Sequence, residues 1–185
     1  MKYIFDFDDV LFNNTKQFKE HMYISLETAG ILRLLAEEHY KDIRNKGFTM
    51  KKFVSFLYKN FKIKTITQTD LYEKIMGKCE NFVNKKVVKI VKKLGKENCY
   101  IVTHGDKKYQ LEKIKRTKLE PLFNEIFIVQ KSKKQSVESI CKKYKNETVF
   151  FIDDKSERLQ DLDFVKYPNL KTILYAGQDL STLLR

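Results

Sequence analysis

Five short apolar runs punctuate the chain: Lys2 to Phe7, Cys99 to Thr103, Ile126 to Gln130, Val149 to Ile152 and Lys171 to Tyr175. Continuous apolar runs of this length suit strands covered on both faces. Between the last four, apolar residues return at helical spacing. Leu111, Ile114 and Leu119 share roughly one face of Gln110 to Leu119, and Val137, Ile140, Cys141 and Tyr144 share one face of Ser132 to Tyr144. Strands alternating with helices of this size predict βαβ units and an α/β fold with a central parallel sheet. Right-handed crossovers then bring the carboxyl ends of the strands to one edge.

One long interval breaks the alternation. From Asn14 to about Lys85 no strand pattern occurs, but helical patterns cover Gln17 to Thr28, Ile31 to Arg44, Thr49 to Phe61 and Thr69 to Val83. In the third, Met50, Phe53, Val54, Phe56 and Leu57 make an amphipathic arrangement, with Thr49 placed as its N-cap. The pattern predicts a helical domain, residues 15–84, inserted after the first strand of a core made of residues 1–14 and 85–185. A helix from Lys86 to Leu94 re-enters that core.

Composition supports one packed domain with such an insertion: 42% of residues are hydrophobic, including 14 Phe and 10 Tyr, while six Gly and two Pro leave no linker signature. No apolar run approaches membrane-spanning length, and acidic residues arrive by position 6, so a soluble, cytoplasmic protein is expected. Cys79, Cys99 and Cys141 are odd in number and lack C-x-x-C spacing, which predicts buried thiols in a reducing compartment. The net charge of +13 suggests an anionic partner. Its basic residues are 32 Lys and only five Arg, however, and Arg is the residue that forks onto phosphate and guanine. Runs such as "KKVVKIVKK" and "CKKYK" therefore read as solvated helix faces, and His21 and His39 as packing residues of inserted helices.

The candidate chemistry lies at the strand ends. "FDFDDVL" sets Asp6, Asp8 and Asp9 within four positions, with no Lys or Arg among residues 3–15. Like charges so crowded raise one another's pKa unless a cation sits among them. Thr103 ends the second strand, and Asp153 and Asp154 end a later one. In an open parallel sheet these ends form the ligand edge. Oxygen-only ligands suit a hard cation, Mg²⁺ above all.

"FDFDDVL", "IVTHG", a Lys-rich helix start and "FFIDD", in this order, closely resemble the motifs of the haloacid dehalogenase superfamily, over nearly the whole chain. The inserted helices resemble the cap that its capped phosphatases carry after the first strand. The resemblance implies a Rossmann-like, three-layer α/β/α core. It implies that Asp6 attacks phosphorus to form an aspartyl-phosphate and that Asp8 protonates the leaving oxygen, its carboxylate neighbours keeping it protonated. Asp6, Asp8 (through its backbone carbonyl), Asp153 and Asp154 would hold Mg²⁺. Thr103, His104 and Gly105 would contact substrate, with the Thr103 hydroxyl donating to a phosphoryl oxygen. A lysine would neutralise the transferring group. The family spacing from Val137 admits Lys133 or Lys131, with Lys134 adjacent; Lys133 is preferred. An acid at position 8 points to phosphoryl chemistry, since halide leaves unprotonated. Asp9 departs from the pattern, which most often has Gly there.

The expectation is a Mg²⁺-dependent phosphatase for a small phosphorylated metabolite. The alternatives are a phosphomutase on the same scaffold, and a nucleic-acid-end phosphatase or nucleic-acid-binding protein using the basic surface.

Overall fold

β1 (Lys2–Phe5) lies at the centre of a five-stranded sheet in the order β3-β2-β1-β4-β5. Its partners are β2 (Cys99–His104), β3 (Glu125–Val129), β4 (Val149–Asp153) and β5 (Leu170–Leu174), and every ladder is parallel. The computed structural model describes residues 1–184 except Asn45 and Lys62. Phe5 pairs with Ile101 on one side and Ile152 on the other, so the ends of β1 and β4 are nearly level, while β2 runs three residues further, to His104. The expected five-stranded α/β architecture is the one observed.

Period-two alternation divides the sheet's side chains between two cores. Tyr3, Phe5, Ile101 and Ile152 face α5 (Lys85–Leu94) and α6 (Lys107–Arg116). Ile4, Tyr100, Val102 and Phe151 face α7 (Lys134–Lys143) and α8 (Ser156–Gln160). The run "KKVVKIVKK" buries Val87, Val88, Ile90 and Val91 and exposes its lysines, as an amphipathic helix should.

The chain between β1 and α5 is helical. A wide π-type turn, Asn14–Phe18, leads into α1 (Lys19–Thr28), followed by α2 (Arg33–Ile43), α3 (Met50–Asn60) and α4 (Gln68–Met76). Thr49 caps α3, its hydroxyl accepting from the Lys52 amide at 3.2 Å. The helix expected over Thr69 to Val83 stops early: Gly77 ends α4, and a 3-10 turn occupies Cys79–Phe82. Residues 82–84 are instead committed to pairing with the outgoing chain. Asn13 donates to the Phe82 carbonyl, Asn84 donates to the Leu11 carbonyl, each at 2.8 Å, and Phe12 bridges Val83. Phe12 is fully buried in this neck, stacked on Phe7 at 5.2 Å and packed on Phe18 and Phe82.

The neck accounts for Asp9. Its φ is +61°, in the left-handed region that Gly favours and that Asp and Asn tolerate better than other side chains. Both its carboxylate oxygens accept from Thr15, one from the amide at 2.8 Å and one from the hydroxyl. Asp9 thus braces the turn that starts the insertion.

α6 differs from expectation in its start and its face. Asp106 caps it, accepting from the Tyr109 amide at 3.0 Å, so the helix begins well before Gln110. It buries Tyr109, Gln110, Lys113 and Ile114, and Leu111 is only partly covered. The insertion docks on its other residues: Arg116 forks onto Glu73 with two bonds of 2.7 Å, and the Tyr72 hydroxyl donates to Glu112 at 2.6 Å. α8 has no forerunner in the sequence pattern, because five residues are too few to show a helical period. The three cysteines are buried and free, and burial pushes Cys79 and Cys99 up to about 12. His21 bonds the Lys74 carbonyl, and His39 packs on Phe56. Among the described residues no helix is long and apolar enough to cross a membrane.

Truncating Phe12 removes the ring on which the neck packs. Phe12→Ala is expected to cost about 3–5 kcal/mol, the usual range for a fully buried Phe, read as a lower urea midpoint with intact α/β circular dichroism at zero denaturant.

Candidate active site

The level ends of β1 and β4 bring three carboxylates together. The Asp6 amide donates to the Ile152 carbonyl at 2.9 Å, which continues the β1–β4 ladder by one residue and fixes where its side chain departs. Oxygens of Asp6, Asp153 and Asp154 lie within 4.8 Å of one another. Asp6 and Asp153 are buried and Asp154 is half-buried.

A lysine holds the first two. Lys133, just before α7, is 3% exposed, and its Nζ lies 2.7 Å from Asp6 Oδ2 and 2.6 Å from Asp153 Oδ2. Of the three candidate lysines only this one reaches the carboxylates: Lys131 is exposed, and Lys134 donates to the Asp161 carbonyl at 2.8 Å. The remaining oxygens take backbone donors, Asp6 Oδ1 from Phe7 at 2.6 Å and Asp153 Oδ1 from Lys155 at 3.0 Å. Asp154 Oδ1 is buried and has no partner among the described residues. An orphaned anionic oxygen beside two further carboxylates fits a hard divalent cation, which would satisfy it. Burial raises the Asp6 carboxyl to about 6; Lys133 opposes the rise, while Asp153 and Asp8 add to it. Burial likewise raises Asp154.

Asp8 stands apart from this group. Lys113 Nζ donates to both its carboxylate oxygens, at 2.6 and 2.8 Å, and Gln110 Nε2 donates to one at 2.9 Å. Lys113 is 2% exposed, and its ammonium lies 5.1–5.4 Å from the ring centres of Phe7, Phe12 and Tyr109. This corrects one expectation: the nearest charge to the Asp8 carboxylate is a buried cation and not another carboxylate. Its side chain is committed to α6, outside the trio that could hold a metal; the ligand expected from this residue is its backbone carbonyl. Neither Lys113 nor Gln110 was expected. The signal available was a pair of polar residues three apart on the stripe that also carries Tyr109 and Ile114.

Thr103 is 1% exposed, on β2, and its hydroxyl makes no hydrogen bond among the described residues; the cap of α6 is Asp106. His104 Nε2 lies 3.0 Å from the Gln130 carbonyl, which can only accept, so that nitrogen carries a proton. Burial, and after it the Arg158 cation, lowers the pKa of this imidazole. Gly105 has φ +149°, and a Cβ there would lie 2.9 Å from Gln110 Nε2, so the glycine leaves room for the amide that holds Asp8. A cavity of about 810 Å³ opens beside Asp8 between the core and the inserted helices.

No family model matches the chain, and no curated protein matches it. Solved structures do. A chain from Burkholderia xenovorans assigned to the haloacid dehalogenase-like hydrolases superposes with a TM-score of 0.68 at 14% identity, over 97% of this chain and 89% of that one. The fold is that of the haloacid dehalogenase-like hydrolases. A haloacid dehalogenase family enzyme of Bacteroides thetaiotaomicron, solved with magnesium and inorganic phosphate, has a TM-score of 0.62 at 18% identity, over 100% of this chain and 98% of that one. A Thermotoga maritima protein assigned as a β-phosphoglucomutase has a TM-score of 0.53 at 16% identity, over 100% and 90%.

Removing Lys133 leaves two buried carboxylates without their cation. In EDTA, Lys133→Met is expected to lose about 3–5 kcal/mol of unfolding free energy. Asp6 supplies a pH test. An unfolded Asp titrates near about 3.9, so between there and about 6 the folded state binds a proton that the unfolded chain releases. The stability Asp6 contributes is present below the lower value and is lost as pH rises through the upper one. In EDTA, Asp6→Asn should therefore gain on the wild type from about pH 4 to about pH 7 in urea titrations; a constant difference contradicts the assignment.

Proposed function

We propose that this protein is a Mg²⁺-dependent phosphomonoesterase that works through an aspartyl-phosphate on Asp6. The observation that carries this reading is the trio Asp6, Asp153 and Asp154, in which one lysine holds the first two and the third keeps a buried, unpartnered carboxylate oxygen. A carboxylate nucleophile needs its phosphoryl acceptor's charge offset nearby. Lys133 supplies one positive charge at the Asp6 oxygen. Asp6, Asp153 and Asp154 would hold Mg²⁺, which when bound supplies Lewis-acid charge toward the phosphoryl oxygens.

The chain's residues divide the remaining work. The Asp6 carboxylate forms the new bond to phosphorus while the ester oxygen leaves. Asp8 gives that oxygen its proton and takes one from the water that then splits the aspartyl-phosphate. Lys113 and Gln110 fix the Asp8 carboxylate at the cavity floor, so it meets the leaving group in one orientation. The Thr103 hydroxyl donates to a phosphoryl oxygen together with the amides that follow β2. Residues 15–84 act as a cap that roofs the cavity and excludes water. A roofed cavity of this size suits a small metabolite better than a polymer. The Thermotoga neighbour supports a phosphomutase as the second reading, because that chemistry shares the first step.

Purified protein assayed against a panel of phosphate esters should release orthophosphate only with Mg²⁺. EDTA and Asp6→Asn should each abolish release, and Asp8→Asn should lower kcat by about 10²–10⁴-fold. Turnover that survives Asp6→Asn rules the mechanism out. Isomerised hexose phosphate in place of orthophosphate identifies a mutase.

A further inference from the structure

Resting on the phosphatase reading, we propose that the cavity beside Asp8 binds a leaving group that carries a second anion, a phosphate or a carboxylate. The described arginines fall into two sets. Arg33 is held by Glu20 and Glu37, and Arg116 by Glu73 and Glu112. Both lie outside the cavity. Arg44 and Arg158 line it, and neither guanidinium has a carboxylate or any other hydrogen-bond partner among the described residues. The Lys155 ammonium lines it in the same condition.

Carboxylates on the cavity wall do not balance them. Five cations, Lys19, Arg44, Lys113, Lys155 and Arg158, face it against two acids. Asp8 is taken by Lys113, and Asp106 caps α6. Arg44 comes from the end of the second inserted helix, while Lys155 and Arg158 follow β4, so cations stand on both walls. Lys19 is steadied over the Tyr40 ring at 4.5 Å. The same positive field reaches His104, where Arg158 and Lys155 both oppose protonation.

These charges are not needed for the reacting phosphoryl group. That group has Lys133 and the metal-binding trio, none of which lines the cavity. Between the two charged walls run Tyr40, Phe48 and Tyr109, with Phe48 packed edge-on against both tyrosines at 5.2 and 5.7 Å. The cavity therefore offers an apolar wall for a carbon skeleton and free guanidinium groups for an anion beyond it. Guanidinium recognises phosphate and carboxylate alike, by paired donors.

The test uses matched pairs that differ by one anion: a hexose 6-phosphate against the hexose 1,6-bisphosphate, and glycerol 3-phosphate against 3-phosphoglycerate. Binding to full-length Asp6→Asn is read by calorimetry in Mg²⁺ buffer, independently of turnover. The doubly anionic member of one pair should bind about tenfold or more tightly, the worth of one charge-assisted hydrogen bond. Whichever pair shows the difference identifies the second anion. Adding Arg44→Gln or Arg158→Gln should bring the ratio toward one. Lys92→Gln with Lys93→Gln, exposed on α5, should leave the ratio as it was, separating a site from the general +13 charge. Equal binding within both pairs, or a ratio indifferent to both arginines, overturns the proposal. Hydrolysis of p-nitrophenyl phosphate by the wild type reports separately on the phosphatase reading, so the two can fail independently.

Discussion

The ion pairs of Lys133 with Asp6 and Asp153 constrain everything around them. Two carboxylates from adjacent strands are buried within reach of one ammonium, and burial of such charges is tolerable only with close partners and satisfied hydrogen bonds. That requirement ties together β1, β4 and the start of α7. A shift of one residue in the β1–β4 register would turn Asp6 to the opposite face of the sheet and leave the lysine with one acid. The level strand ends, and the amide of Asp6 on the β4 ladder, are the geometry that keeps this from happening.

A second buried lysine repeats the arrangement for Asp8. Lys113 and Gln110 reach it from α6, on the other face of the sheet from α7. The acidic cluster that looks like one crowded group along the chain is thus two compartments, each with its own cation. Asp9 belongs to neither, because its carboxylate is spent on Thr15. Each of the two inner positions has a buried lysine as its direct partner.

Much of this was legible along the chain. The five apolar runs became the five strands within two residues at each end, because continuous burial on both faces leaves little freedom in such segments. The strand-end carboxylates converged for the same topological reason. Lys113 and Gln110 were not legible. A polar residue on a helix reads as solvent-facing unless its distant partner is known, and Asp8 is more than a hundred positions away. The early end of α4 was hidden likewise, since residues 82–84 pair with residues 11–13 across the whole insertion. Asp9 was legible as a departure from pattern, but its reason is a backbone angle.

The paired neck has a bearing on chain entropy. Tyr3 of β1 must find Cys99 of β2, and Ile4 must find Phe151 of β4, with the four inserted helices between the first pair. Loop closure grows costlier with the length of free chain between the partners. The neck brings residues 11–13 against 82–84, so the insertion contributes a short pinched bridge to that contour in place of a long open coil. A segment that makes up most of the sequence between Tyr3 and Cys99 thereby adds little to the effective distance over which the central strand is assembled.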